Sequence, residues 1–209
     1  EYWQLVKDKV PHATPPKDER PTEHRIEAFV RRLSRRLGEG NLHVGLTSSD
    51  LEDNVRIKRL EKSCGLILAH QASLVETLRG MKDANLVAYP HLIPAGTTTL
   101  KMRLAPSLDL LDRMVFDNFR YRGIKGAIGD GKMQKILRVN VPSFDQVIFA
   151  GRSVQPFANQ TVDHYSDFCA ACYISFLASV LTKIANDFRM MFAFGQARPL
   201  LRDSSSGDR

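Results

Sequence analysis

Three long stretches of helical hydrophobic periodicity dominate this chain of 209 residues. They run from about residue 49 to 82, from about 98 to 121 and from about 163 to 194. A shorter helix is predicted from about 23 to 37, ended by the sequence GEG. A helix of thirty residues is about 45 Å long, too long for a compact monomer of this size. We therefore expect an all-α, elongated bundle of long helices that continues across subunits.

The last of these stretches is apolar on several sides, which predicts that it is buried on several sides. No run of eighteen consecutive apolar residues occurs, so no membrane span and no membrane partner are expected. The intervening residues 122–160 are rich in glycine and proline and predict loops or short strands.

The net charge of +7 suits nucleic acid or small anionic substrates. Much of it is local, with four arginines between residues 31 and 36 at a spacing that predicts one solvated helix face. No aromatic residues are interleaved with them, so no nucleic-acid partner is expected. Cys169 and Cys172 form C-x-x-C inside an apolar helical run, which favours packing over zinc or redox chemistry. The low cysteine content indicates a reducing compartment.

Polar clusters stand just before the predicted helices. They carry His24, His43 with Thr47 and Ser48, His91 with three threonines, and Gln160 with Thr161 and His164. Each has an ordinary structural explanation: Ser49 and Glu52, for example, predict a capping box. A capped helix start remains positive, so Thr47 and Ser48 are candidates to hold an anion. Together, these clusters could meet in one cleft.

Five segments, in order, resemble the fumarase/aspartase superfamily and within it the adenylosuccinate lyase family. They read HVGLTSSDLEDN, PHLIPAGTTTL, FRYRGIKGAIG, NQTVDHYSD and KIANDFRMM, and the resemblance spans about residues 20 to 209. It implies a β-elimination in which a proton leaves a carbon next to a carboxylate, a C–N bond breaks and fumarate departs.

The resemblance also implies roles for individual residues. His91 falls on the general acid and Ser206 on the serine base of a mobile loop. The substrate contacts fall on Glu23, His24, Arg25, Thr47, Ser48 and Gln160. A nucleotide substrate, no metal or organic cofactor, a cytoplasmic location and a homotetramer with shared active sites are implied as well.

Several positions depart from the family pattern. Pro90 and Ile93 replace a threonine and a glutamine around His91, and His164 and Tyr165 stand where the family has an arginine and a lysine. These changes leave open another fumarate-releasing lyase, such as argininosuccinate lyase, or a non-catalytic scaffold derived from the fold. A basic nucleic-acid-binding module is the least favoured alternative.

The resemblance divides the chain into a helical N-terminal domain, residues 1–46, and a central bundle, residues 47–209. Both are expected to be partial, because the family continues beyond the catalytic loop and begins with further helices.

Overall fold

The computed structural model describes residues 24–114, 116–117, 119–140, 145–146 and 148–198. The described residues are mostly helical with one two-stranded sheet among them, which confirms the mostly helical fold class. Its elements, in order, are α1 (Arg25–Leu37), α2 (Ser48–Gly80), β1 (Asn85–Ala88), a 3-10 turn (Pro90–Leu92), β2 (Gly96–Thr99), α3 (Leu100–Arg113), α4 (Lys132–Ile136) and α5 (Tyr165–Ala193).

The described residues fall into two compact units. The first unit draws on the ranges 1–62 and 117–169, and the second on 63–116 and 170–209. Helices α2 and α5 each contribute residues to both.

Helix α1 is capped by a side chain at its start and by a glycine at its end. His24 is the N-cap, and its Nδ1 accepts a hydrogen bond from the Glu27 backbone N–H at 3.3 Å. Gly38 ends the helix in the left-handed region with φ +72°, a conformation that costs glycine little. The predicted helix 23–37 is therefore confirmed to within two residues.

The start of α2 differs from the prediction. The helix begins at Ser48, so Ser49 lies inside its first turn and the predicted capping box of Ser49 and Glu52 is wrong. The Thr47 N–H instead donates to Asp50 Oδ2 at 3.0 Å, and the Asp50 N–H donates to the Thr47 carbonyl, also at 3.0 Å. The capping interaction lies two residues earlier because the Asp50 carboxylate is held in place by distant parts of the chain.

The predicted helix 98–121 is too long at both ends. Strands β1 and β2 pair antiparallel, from Asn85 opposite Thr99 to Ala88 opposite Gly96. Three consecutive threonines favour this extended pairing, and Thr99 then caps α3 by accepting from the Met102 N–H at 3.2 Å. The sequence analysis did not predict this hairpin.

The other end of α3 is fixed by a buried amide. Gln71 Nε2 donates to the carbonyls of Leu111, at 2.6 Å, and Met114, at 3.1 Å. Its Oε1 accepts from the Tyr173 hydroxyl at 2.7 Å. One side chain thus satisfies two carbonyls near the helix end and one phenol within the second unit.

Helix α5 buries one stripe of its surface rather than several. The stripe is formed by Ala170, Tyr173, Leu177, Val180, Ile184 and Met191. Large apolar side chains remain exposed elsewhere on the helix, namely Phe168, Ile174, Phe176, Leu181 and Phe192. Burial on several sides is therefore not achieved within the part of the chain that the structure describes.

By length and composition alone, α5 could also cross a membrane. The core helix of a soluble protein passes the same test. Its C-terminal part includes Asp187, which is 5% exposed and accepts from Arg103 Nε at 3.1 Å and from Lys183.

Candidate active site

A fully buried ion pair organises the first unit. The Arg122 guanidinium donates through Nη1 to Asp50 Oδ1, and neither side chain is exposed to solvent. Asp50 lies in the first turn of α2, and Arg122 belongs to the segment RGIKG. The pair joins two segments that are 72 residues apart in sequence.

Three backbone N–H groups complete the shell around the Asp50 carboxylate. Thr47 and Gly126 donate to Oδ2 at 3.0 Å each, and Lys125 donates to Oδ1 at 2.9 Å. With the guanidinium included, this carboxylate accepts four hydrogen bonds, which compensates the cost of burying its charge. The start of α2 is thereby fixed to the loop that follows Arg122.

Arg122 also reaches a third segment. Its Nη2 donates to the carbonyl of Gly126 at 2.8 Å and to that of Asn159 at 3.1 Å. Asn159 directly precedes the candidate residue Gln160. One guanidinium therefore connects the segments TSSD, RGIKG and NQT, which the sequence analysis had identified separately.

Two further polar contacts stabilise the same loop. The Asn54 amide donates to the Gly123 carbonyl at 3.0 Å and accepts from its N–H at 3.1 Å. Lys125 Nζ donates to Asp145 Oδ2 at 2.9 Å, and this ion pair is almost fully buried. The loop is thus held by side chains from α2 and from the region of Asp145.

Close packing in this region requires glycine at one position in particular. Gly129 has φ +84°, and a Cβ built there would lie 1.4 Å from the carbonyl oxygen of Ala158. The Ala158 N–H donates to the Gly129 carbonyl at 3.1 Å. Only glycine permits this approach, which positions the chain just before Gln160.

His43 lies in the first unit, in the turn before α2, and its ring is partly buried. Burial lowers the pKa of its imidazole; the nearby Asp50 charge opposes this shift and His24 adds to it. Its Nε2 is buried and has no hydrogen-bond partner among the described residues. His43 is therefore a neutral imidazole at pH 7, with one ring nitrogen still able to form a hydrogen bond.

The first unit contains five of the predicted site residues. Thr47 and Ser48 are half-buried at the start of α2, whereas His24, Arg25 and Gln160 are exposed. The electrostatic interaction of His24 with His43 indicates that these two rings lie near each other.

His91 belongs to the second unit. It lies in the exposed turn between β1 and β2, with φ +51°, and Leu92 follows with φ +66°. Positive φ is unfavourable for both residue types, so this turn stores backbone strain, which clusters at functional sites. Glu23 and Ser206 lie outside the described residues.

The sequence analysis missed the roles of Asp50, Arg122 and His43. Asp50 and Arg122 both stood in quoted segments, and a buried charge needs a partner, so the two could have been paired. The low pKa of His43 depends on burial, which no local pattern specifies. Among the described residues, no group of three or more His, Cys, Asp or Glu side chains could hold a metal ion.

Comparisons of the sequence with known proteins find relatives that carry one name. No family model matches the chain. The adenylosuccinate lyase of Deinococcus radiodurans is 29% identical over 181 residues, which cover 80% of this chain and 40% of that protein. That of Schistosoma mansoni is 24% identical over 90% of this chain and 43% of its own length. That of Bacillus subtilis is 26% identical over 82% and 42%.

The mostly helical fold and the ordered polar segments agree with the resemblance to the fumarase/aspartase superfamily. Within it, the chain is similar to adenylosuccinate lyases, the name that all six matching relatives carry. The chain spans about 40% of the length of these curated relatives.

Proposed function

We propose that the chain acts as a lyase that releases fumarate by β-elimination from adenylosuccinate. The related succinyl-aminoimidazole-carboxamide ribotide is its second substrate, and both reactions belong to purine nucleotide biosynthesis. The observation that carries the proposal is the locked start of α2: Thr47 and Ser48 lie half-buried next to Asp50, whose position Arg122 fixes. The similarity to six lyases of one name supports it.

The chemistry requires that negative charge be stabilised as it grows. A proton leaves the carbon next to a carboxylate, and the electrons form the C=C bond of fumarate as the C–N bond breaks. Hydroxyls and N–H groups at a helix N-terminus stabilise such an anion. Thr47 and Ser48 occupy this position, and the Asp50–Arg122 pair holds it rigid, because reorganisation during the reaction would reduce the stabilisation.

His91 is assigned as the general acid that protonates the departing nitrogen, and Ser206 as the base that removes the proton. The exposed hairpin turn presents His91 to a substrate or to a neighbouring subunit. Glu23, His24, Arg25 and Gln160 are assigned as substrate contacts. His43 adds one hydrogen bond from an imidazole that is neutral at pH 7.

The partners follow from the same proposal. The substrate is a small nucleotide, and neither a metal nor an organic cofactor takes part in the reaction. The exposed apolar side chains of α5 support a homotetramer, because large exposed apolar surfaces mark contact sites. The cytoplasm is the proposed location, and neither nucleic acid nor a membrane is a proposed partner.

The test is fumarate release by the purified protein, with adenylosuccinate and argininosuccinate supplied in parallel. We expect release from adenylosuccinate only. Release of fumarate from argininosuccinate alone would show that the chain acts as an argininosuccinate lyase instead. Binding of adenylosuccinate without release from either compound would contradict the lyase assignment and identify a non-catalytic scaffold.

The role of His91 is tested separately. His91→Ala should lose most turnover while retaining helix content, because the residue is exposed and supports no core contact. His70→Ala is the matched control, since His70 is another exposed histidine of the second unit. Near-normal turnover of the His91 variant would exclude it as the acid.

A further inference from the structure

A cavity in the first unit is lined on one side by residues of the first turns of α2. Its volume is about 240 Å³, slightly below the usual range of roughly 300–1,000 Å³ for drug-sized ligands. Its apolar lining consists of Leu51, Val55, Ile124, Ile148 and Phe149. Asp50, which fixes the start of α2, is the one residue of the lyase proposal that lines it.

The polar groups at the base of this cavity are already occupied. The Asp50 carboxylate is bound by Arg122 and three backbone N–H groups. The Asn54 amide is bound to the backbone of Gly123 and Asp50. Asp50 and Asn54 therefore offer a ligand no unsatisfied donor or acceptor, and the base of the cavity contributes shape but no hydrogen bond.

The rim carries an excess of positive charge. Arg152 Nε donates to Glu61 Oε1 at 2.6 Å, and the Tyr121 hydroxyl donates to Oε2 at 2.5 Å. Burial alone would raise the pKa of Glu61, but these hydrogen bonds lower it further than burial raises it. The carboxylate is therefore ionised and neutralises Arg152.

Lys58 is the remaining charge at the rim. It is exposed, lines the cavity, and makes no hydrogen bond or ion pair to any other residue that the structure describes. Glu61 lies in the electrostatic field of both Arg152 and Lys58, so these two cations and one carboxylate leave one net positive charge uncompensated. This charge lies beside an apolar cavity lined by the Tyr121 and Phe149 rings, whose centroids are 4.9 Å apart.

We propose that this cavity binds a small apolar monocarboxylate, with its hydrocarbon body against Leu51, Ile124 and Phe149 and its carboxylate at Lys58. The volume limits the ligand to about one ring, and the single uncompensated cation selects a single negative charge. A dianion such as phosphate lacks the apolar body that the lining requires. The site is independent of the lyase proposal, because it needs neither His91 nor Thr47.

The test uses benzoate as the probe and follows binding to the intact protein by ligand-observed saturation-transfer NMR. Benzyl alcohol supplies the ring without charge, and inorganic phosphate supplies charge without a ring. We expect benzoate to bind with a dissociation constant on the order of 1 mM, as suits a ligand of so few atoms. Both comparison compounds should bind at least fivefold more weakly.

Two variants locate the site. Lys58→Met should weaken benzoate binding about fivefold, within the range of an exposed ion pair. The control Lys62→Met, also exposed on α2 but outside the cavity lining, should change it less than twofold. Val55→Trp should block the chamber, and because Val55 is 47% exposed the fold should persist.

The proposal is overturned if benzoate fails to bind, if phosphate binds as tightly, or if Lys58→Met and Lys62→Met behave alike. It is also overturned if binding survives Val55→Trp in a protein with unchanged helix content. None of these results depends on fumarate release, so failure here and failure of the lyase proposal are distinguishable.

Discussion

Asp50 and Arg122 form an ion pair in which neither side chain has any solvent exposure, although 72 residues separate them in sequence. The guanidinium also binds the carbonyls of Gly126 and Asn159. Three segments of the candidate active site therefore share one buried cation. Because a buried charge that loses its partner cannot be re-solvated cheaply, the geometry of the site and the stability of the first unit depend on the same contact.

Replacing the cation should strongly destabilise the protein. Arg122→Met leaves the Asp50 carboxylate buried and without its charged partner, so we expect the free energy of unfolding to fall by about 3–5 kcal/mol. Urea unfolding followed by circular dichroism measures the loss. The control is Arg113→Met, which removes an ion pair with Asp109 whose side chains are 76% and 55% exposed. Equal losses of unfolding free energy in the two variants would contradict the claim that the buried Asp50–Arg122 pair stabilises the fold more than an exposed ion pair.

Gly129→Ala should be far more damaging than the same change at Gly38. Both glycines have positive φ, +84° and +72°, so both variants incur a strain of about 1–2 kcal/mol. Only at Gly129 does the added methyl group meet another atom, the Ala158 carbonyl oxygen at 1.4 Å, whereas nothing lies within 4 Å at Gly38. We expect thermal unfolding to show a modest shift for Gly38→Ala and loss of native structure for Gly129→Ala. Similar melting temperatures would contradict the close approach.

The titration of His43 should make stability depend on pH. Since burial lowers the pKa of this imidazole in the folded state, the unfolded chain binds the proton more readily. The contribution of neutral His43 to the free energy of unfolding is therefore fully present above the unfolded pKa of about 6.5. It is lost as the pH falls through the lower pKa of the folded state. The unfolding free energy of wild type minus that of His43→Gln should decrease between pH 8 and pH 5. An increase over that range would mean that folding raises the pKa of His43, contrary to the prediction.

In the second unit, loss of the buried Gln71 amide should lower the free energy of unfolding. Gln71→Leu leaves the Met114 carbonyl and the Tyr173 hydroxyl without their side-chain partner, and leaves the Leu111 carbonyl with only the long hydrogen bond from the Met114 N–H at 3.3 Å. With about 1–3 kcal/mol for each buried group left unsatisfied, we expect a loss of about 3 kcal/mol in urea unfolding. Thr77→Val, an exposed change on the same helix, should stay within about 0.5 kcal/mol. If Gln71→Leu lowered the free energy of unfolding by less than Thr77→Val, the hydrogen bonds of Gln71 would not be what stabilises the end of α3.

The sequence predicted the long helices well, because their periodicity is a local property. The bounds of α1, α2 and α5 agree with the predictions to within two residues. It failed where a distant contact decides local structure. The N-terminal cap of α2 uses Asp50 because Arg122 and the loop after it hold that carboxylate.

The hairpin of β1 and β2 was missed for a similar reason. The second strand is only four residues long, and two of its three threonines, Thr98 and Thr99, were assigned to the following helix. The conformation of His91 depends on the turn that this pairing creates. The residues implied by the family resemblance could be named from sequence, but the burial that perturbs His43 could not.

The most direct test of the central claim is a product analysis of adenylosuccinate incubated with the purified protein. We expect fumarate and adenosine monophosphate in equal amounts, formed at a rate that Thr47→Val lowers by at least tenfold while the exposed control Thr182→Val does not. Bound but intact adenylosuccinate, with neither product formed, would contradict the account.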